Sequence, residues 1–417
     1  MGWNLSIPHS SSKSTTTSIL SLPDDVLHTI FQAVICFRHE RRGRVDNSTL
    51  LSQVNRHWRH LLLTTCSLWT YITIYDKVIN AEWLENILSR SGECLLHITL
   101  IGAFGSHRNA DRMWRLLTSQ TARWKSLEIR DVSRHLYERY FAPMEARSYP
   151  QLRSFAFIQT KPLEHTIPIP RGWISTSCLP LTQLTTIRLC PKSCVPAEVA
   201  AEALNFLRAV PGLRGLSLEQ FGVRPFEDNR VSRYEKLLVP RFCHPSLEVL
   251  EICISEAVDI VLQSVELPSL RRLPQHYGWP RELLHSVVPR IEMPRLERIF
   301  LSTNAKGNIM EDLGAVNPSI REITLNYYSL PPGTLSEISN SFPQLQVLEI
   351  FNAYNLDLYE LEIMVERSNL THVSITGANL NPMTTRIFSL PMCKFDLRSD
   401  YPTYHPDRPP LGWLTVL

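Results

Sequence analysis

The sequence predicts an α/β protein: a small helical module at the N-terminal end, then a long solenoid with a parallel sheet on its inner face and helices on its outer face. Three observations predict it. Two apolar stripes at helical spacing lie between Ser21 and Trp69. A frame of the form apolar-x-x-apolar-x-apolar then recurs thirteen times, once (Leu270/Leu273) without its last apolar position, its first positions 22 to 34 residues apart. Seven of these frames carry a proline two residues ahead of the first apolar position.

Residues 1–18 are rich in Ser and Thr, with Lys13 the only Lys, Arg, Asp or Glu among them, so a flexible tail is expected there. The helical module is placed at 19–68. Pro23 fits the first turn of a helix, where a missing N–H costs nothing, and Asp24 and Asp25 suit the positive end of the helix dipole. Val26, Leu27, Ile30, Phe31 and Val34 then recur on one side, leaving His28, Thr29 and Gln32 on the other. The second stripe, capped by Asn47 or Ser48, runs Leu50, Leu51, Val54, Trp58, Leu61 and Leu62 and predicts a second helix, with Arg56, His57, Arg59 and His60 along its flank. Two such short helices cannot hide both stripes from water.

In these residues the chain resembles the F-box: Leu22-Pro23, then Ile30-Phe31, then Val54 and Trp58 among polar neighbours, then Leu68-Trp69. The resemblance implies a module that docks on the Skp-family adaptor of an SCF-type cullin-RING ubiquitin ligase. Carried over by position, Leu22, Pro23, Leu27, Ile30, Phe31, Val54, Trp58 and Leu61 would face the adaptor or brace the helices that do. The stretch from Ile35 to Ser48, with its basic run Arg38 to Arg44, is longer than the link usual between F-box helices.

The solenoid is placed at 69–398. Its frames begin Trp69/Ile72/Ile74, Leu95/Ile98/Leu100 and Trp124/Leu127/Ile129, and end Leu345/Leu348/Ile350, Leu370/Val373/Ile375 and Met392/Phe395/Leu397. Proline at 150, 211, 245, 268, 294, 318 and 343 is expected to stop a helix and set up an extended approach to the strand. Helical patterns lie between frames, as in Ala197 to Val210 and Leu358 to Val365. Each unit would be strand, turn and helix, and no unit could bury its apolar face alone. The frame resembles leucine-rich repeats, and an F-box followed by such repeats is a known architecture. The Asn or Cys expected eight residues after the first Leu is mostly absent, Asn304 being the clear exception, so irregular turns are expected. A closed α/β barrel needs about eight units, so thirteen favour an open solenoid.

The pattern is expected to stop after Leu397. Residues 399–417 hold Pro402, Pro406, Pro409 and Pro410 and then Trp413, Leu414, Val416 and Leu417, and are expected to form a strap covering the end of the array.

Composition excludes several classes. A net charge of +3 over 417 residues gives no reason to expect nucleic acid or membrane as a main partner. No apolar run approaches a membrane span, and no charged start with an apolar core opens the chain, so a cytoplasmic or nuclear location is expected. Nine scattered cysteines form neither a disulfide framework nor a metal set, and no cofactor or metal is expected. There is no Gly-x-Ser-x-Gly elbow, no phosphate loop and no His-Glu-x-x-His, so no catalytic residue is expected.

Function then falls on two binding surfaces, and the resemblance assigns one to the adaptor, and through it to cullin, and the other to a protein substrate. The chain would supply proximity while other subunits transfer ubiquitin. A repeat scaffold without ligase association, or an F-box adaptor in an assembly other than SCF, are the alternatives. For the substrate, the residues after each inward apolar position project from the sheet. Arg130, Arg188, Phe300, Asn326 and Phe351 are the candidates, with Phe300 and Phe351 foremost because exposed aromatics make interface hot spots. Glu219, Glu251 and Glu349 argue against a phosphorylated segment at mid-solenoid.

Overall fold

A computed structural model describes residues 19, 22–37, 47–75, 80–102, 110–132, 139, 149–158, 181–189, 196–218, 240–252, 255–273, 293–302, 309–326, 330, 332–351, 356–376 and 394–398. The basic run 38–44, Asn304, Cys190, Cys194, Glu219 and the expected tail and strap lie outside these residues. The chain divides into two compact units, 1–71 with 86–94 and 72–85 with 95–417.

The first unit is helical. Helix α1 spans Asp24–Phe37, α2 Asn47–Leu51 and α3 Arg56–Thr64, and a single 3-10 turn spans Cys66–Trp69. Pro23 stands just ahead of α1, and its carbonyl accepts the first helical hydrogen bond from Leu27 N–H at 3.0 Å. The second stripe is two helices rather than the one its spacing predicts. Asn55 is extended, and its Oδ1 accepts from the Trp58 N–H at 2.8 Å, so this side chain ends one segment and caps the next. Val54 falls in the intervening turn and is 55% exposed.

The core of this unit is Leu27, Phe31, Ile35, Trp58, Leu62, Leu68 and Trp69, all buried. Phe31 and Trp58 meet edge-to-face with centroids 4.7 Å apart, the arrangement the ring quadrupoles favour. Trp69 Nε1–H donates to the Leu62 carbonyl at 2.7 Å, and the Arg90 guanidinium lies 4.5 Å over the Trp69 ring. Two polar ties join the helices to the turn: Ser48 Oγ–H donates to the Leu68 carbonyl at 2.9 Å, and His28 Nε2 lies 3.0 Å from Ser67 Oγ.

The second unit is a single sheet of thirteen strands among the described residues, one for each sequence frame. In order they are β1 (Tyr71–Tyr75), β2 (Leu96–Ile101), β3 (Trp124–Arg130), β4 (Ser154–Ile158), β5 (Thr186–Leu189), β6 (Gly215–Leu218), β8 (Val249–Ile252), β10 (Arg272–Leu273), β11 (Arg298–Ser302), β12 (Glu322–Asn326), β13 (Val347–Phe351), β14 (His372–Thr376) and β15 (Lys394–Arg398). A separate parallel pair joins β7 (Phe242–Cys243) to β9 (Val265–Glu266). The fourth frame positions line up across the pairs, as in Leu127, Phe155, Ile187, Leu216 and Leu250. Ile299, Ile323, Leu348, Val373 and Phe395 continue the row.

Helices α4 (Ala81–Arg90), α5 (Ala110–Thr118), α6 (Pro196–Ala209), α7 (Ser255–Ser264), α8 (Ile309–Val316), α9 (Thr334–Ser341) and α10 (Leu358–Arg367) lie between strands in sequence. Each buries an apolar stripe at helical spacing, for example Val199, Ala203, Leu204 and Leu207 in α6 and Leu361, Met364 and Val365 in α10.

Two details differ from the sequence expectation. Pro211, Pro318 and Pro343 follow the ends of α6, α8 and α9, whereas Pro245 and Pro268 follow the short strands β7 and β9 and so stop no helix; each of the seven takes the second position of a tight turn. The first apolar residue of the frame donates its N–H back to the residue before the proline: Leu152 to Tyr149 at 3.1 Å, Leu213 to Val210 at 3.0 Å, Leu296 to Met293 at 2.8 Å and Leu345 to Phe342 at 3.1 Å. Fixed φ suits proline to that position. The residue before it is buried in every case, which makes a second apolar column of Tyr149, Val210, His244, Leu267, Met293, Asn317 and Phe342. Asn317 Oδ1 accepts from the Met293 N–H at 2.9 Å, and His244 Nε2 lies 3.0 Å from the Val210 carbonyl, so the polar members tie one repeat to the previous one.

The second difference is at β2. Leu95 is 39% exposed and Leu96 fills the first position, aligned with Trp124. The register shifts after that pair, leaving exposed Lys125 as the extra residue, and His97 then aligns with Ser126. A bulge of one residue restores the face that a slip would have reversed.

Candidate interaction surfaces

Alternation along each strand places frame positions three, five and seven on one face of the sheet, opposite the buried fourth and sixth. Parallel registry stacks these positions into rows. Across β11 to β14 one row reads Arg298, Glu322, Val347 and His372, and the next Phe300, Thr324, Glu349 and Ser374.

An ion cluster binds these rows together. Arg298 Nη1 lies 3.2 Å from Glu322 Oε2, and Nη2 lies 2.9 Å from Glu349 Oε2. Thr324 Oγ1–H donates to the same Glu349 oxygen at 2.8 Å, and Thr324 is itself buried. One guanidinium thus spans three strands, and its planar fork suits two carboxylates at once. The sequence reading missed Arg298 and Glu322 because it considered only the residues after the inward apolar positions. The period of two puts the residue before the fourth position on the same face, and that signal would have found them.

The five predicted substrate residues fall into two groups. Phe300 and Phe351 are half-buried, and Asn326 lies between their strands in the row of Phe351 and Ser302. Two strand spacings and two residues separate the phenylalanines, about 12 Å between Cα atoms. The Thr324 and Glu349 pair lies between them.

Arg130 and Arg188 are half-buried and sit far back along the sheet, on β3 and β5. Arg130 is engaged in a close ion pair with Glu128 on its own strand. Burial pushes the Tyr75 phenol above its ordinary pKa against the opposing pull of the Arg130 charge, so the phenol stays protonated at neutral pH.

Between the two groups the face is not open. Ser217 on β6 and Val249 and Glu251 on β8 are buried, so β6 and β8 are covered on both faces, and Ala156 and Ile158 on β4, between the two arginine strands, are buried as well. Ser217 and Glu251 both follow inward apolar positions, where the sequence predicts residues projecting from the sheet, yet both are buried. Residues that alternate apolar and polar along a strand read as half-exposed, whatever later folds over them.

The helical unit presents a different surface. Of the residues the F-box resemblance selects, Leu27, Phe31 and Trp58 belong to the core. Leu22, Ile30 and Leu61 are half-buried, and Pro23 and Val54 are exposed. Val26, Leu50 and Leu63 are also exposed, at 39%, 40% and 50%. On α1 this divides the predicted single stripe in two: Leu27, Phe31 and Ile35 point inward, while Val26 and Ile30, one turn apart, lie beside them with partial access to water.

Among the described residues no group of three His, Cys, Asp or Glu could hold a metal ion, and no helix is long and apolar enough to cross a membrane. Cys66, Cys94 and Cys243 are not in disulfide bonds.

No family model matches the sequence. No curated protein matches it either. Among solved structures, a chain from the crystal structure of the Rad7 and Elc1 complex in yeast is similar, with a TM-score of 0.45 at 14% identity, covering 89% of this chain and 92% of that one.

Proposed function

We propose that this chain is the non-catalytic substrate-recognition subunit of an SCF-type cullin-RING ubiquitin ligase, its helical unit docking on a Skp-family adaptor and its repeat sheet holding a protein substrate. The observation that carries the reading is in the helical unit. Its core is filled, with Phe31 and Trp58 in contact, yet Pro23 and Val54 of the F-box-like signature remain in solvent together with Val26, Leu50 and Leu63. Single exposed apolar residues are ordinary; several on one small unit, two of them at signature positions, are what a docking surface requires.

The sheet supplies the second surface. Half-buried Phe300 and Phe351 flank a polar cluster whose hydrogen bonds are made within the protein, so the face is pre-organised and little ordering is needed on binding. Joining two binding surfaces in one chain raises the effective concentration of substrate at the ligase without chemistry of its own.

The test is a binding assay with the purified full chain, the adaptor and cullin. Wild type is expected to retain the adaptor and, through it, cullin. The double variant Pro23→Ala/Val54→Asp changes exposed sites, so it is expected to keep its melting temperature while losing adaptor affinity by at least about tenfold, the loss of a modest hot spot. Wild type that retains no adaptor overturns the proposal, and adaptor retained without cullin assigns the chain to an assembly of another kind.

A further inference from the structure

Helix α3 carries Arg56, His57, Arg59 and His60 and no Asp or Glu along its length. Trp58 and Leu62 turn inward and are buried, which sends Arg56, His60 and Leu63 to the opposite side of the helix, with Arg59 and Thr64 along the borders of that face. All five are exposed, Leu63 at 50%. Val54, in the turn ahead of the Asn55 cap, is in solvent as well. The outer face of α3 is therefore basic, with an apolar residue set among the charges.

Little of this charge is used inside the protein. His57 Nε2 lies 3.0 Å from Asp24 Oδ1 and ties α3 to the start of α1. Arg59 Nε–H donates to the Ser52 carbonyl at 3.0 Å, a bond that leaves the guanidinium charge unbalanced. Among the described residues no carboxylate pairs with Arg56, Arg59 or His60. Nor do the two arginines help the helix they stand on, because a cation in the first turn is opposed by the helix dipole. Carboxylates suit that place, as Asp24 and Asp25 do in α1.

Leu63 lies one turn beyond Arg59 and His60 and adds an apolar contact to the charged face. Guanidinium groups beside an exposed leucine fit a protein surface that offers carboxylates beside an apolar residue. We propose that the outer face of α3 is the charge-selecting part of the adaptor-docking surface and meets an acidic patch on the adaptor, Arg56 and Arg59 pairing with its carboxylates and Leu63 packing beside them. The inference rests on the adaptor reading above and adds to it the chemistry of the partner's surface. Opposite charges steer the encounter and fix its orientation, and a partner with a basic surface is rejected by repulsion.

Titration calorimetry of the full chain with the purified adaptor tests it, at about 0.05 M and about 0.5 M salt, for wild type and for Arg56→Glu/Arg59→Glu. Carboxylates in the first turn favour the helix, so the variant is expected to keep its melting temperature. Its adaptor affinity is expected to fall by about 30-fold at the lower salt, and that of wild type by about tenfold on going to the higher salt, where exposed charges are screened. A variant that binds as tightly as wild type overturns the inference and leaves the adaptor reading in place. Wild-type affinity that does not change with salt does the same, whatever the variant does. Wild type that retains no adaptor at either salt overturns both.

Discussion

Phe31 and Val54 belong to the same sequence signature, and their surroundings give them opposite roles. Phe31 is fully buried against Trp58, so Phe31→Ala removes a ring from a core too small to collapse around the space. A loss of about 3–5 kcal/mol in the stability of the helical unit is expected, read as a lower urea midpoint in far-ultraviolet circular dichroism. Val54 sits in a turn opened by the Asn55 cap and is free to be changed without that cost. Residue type and spacing made both legible as apolar members of a stripe. Which of them was core was not legible, because the break between α2 and α3 depends on one side chain choosing the Trp58 N–H over solvent. Arg298 is a similar case: charge alone reads as surface, and its contact with Glu349 two strands away exists only when the repeats are stacked in register.

At the level of elements, the repeats are held by close approaches as much as by apolar area. Gly314 in α8 is one of them: a Cβ there would lie 2.2 Å from the Ser341 carbonyl oxygen at the end of α9. That atom is backbone, so the helices must separate to admit a methyl group. Gly314→Ala is therefore expected to destabilise the repeat unit by about 1–3 kcal/mol despite the better helix propensity of alanine, measured as a fall in the urea midpoint. The proline turns act at the same scale. Fixed φ turns the chain and delivers the first apolar residue to the core, whether a helix or a short strand precedes the turn, and the residue before each proline is buried. The frame with its proline marked where strands begin. It could not reveal the bulge at β2, where Leu95 and Leu96 are equal candidates until pairing with Trp124 selects one.

For the whole molecule, a repeat array couples each strand chiefly to its neighbours, and stability is close to a sum of local terms. Leu216 on β6 is fully buried, and Leu216→Ala is expected to cost about 2–5 kcal/mol. The loss should be confined: amides of β5, β6 and β8 lose protection in hydrogen exchange, while those of β14 keep theirs. Uniform loss across all strands would show instead that the sheet unfolds as one body. The same linear arrangement divides the partly exposed face of the sheet, since β6 and β8 are covered on both sides and leave Arg130 and Arg188 apart from Phe300 and Phe351.

The sequence by itself determined the number, order and direction of the thirteen strands, because a period-two pattern repeated at regular intervals admits one economical way to bury its apolar rows. It also determined the helical character of the first unit and, through the prolines, where seven of the repeats begin. Tertiary structure alone decided which polar side chains meet, which apolar ones stay in water, and where the sheet face is covered. Those outcomes depend on pairs of residues far apart in the chain, such as Arg298 and Glu349, and no local pattern encodes a distance between them.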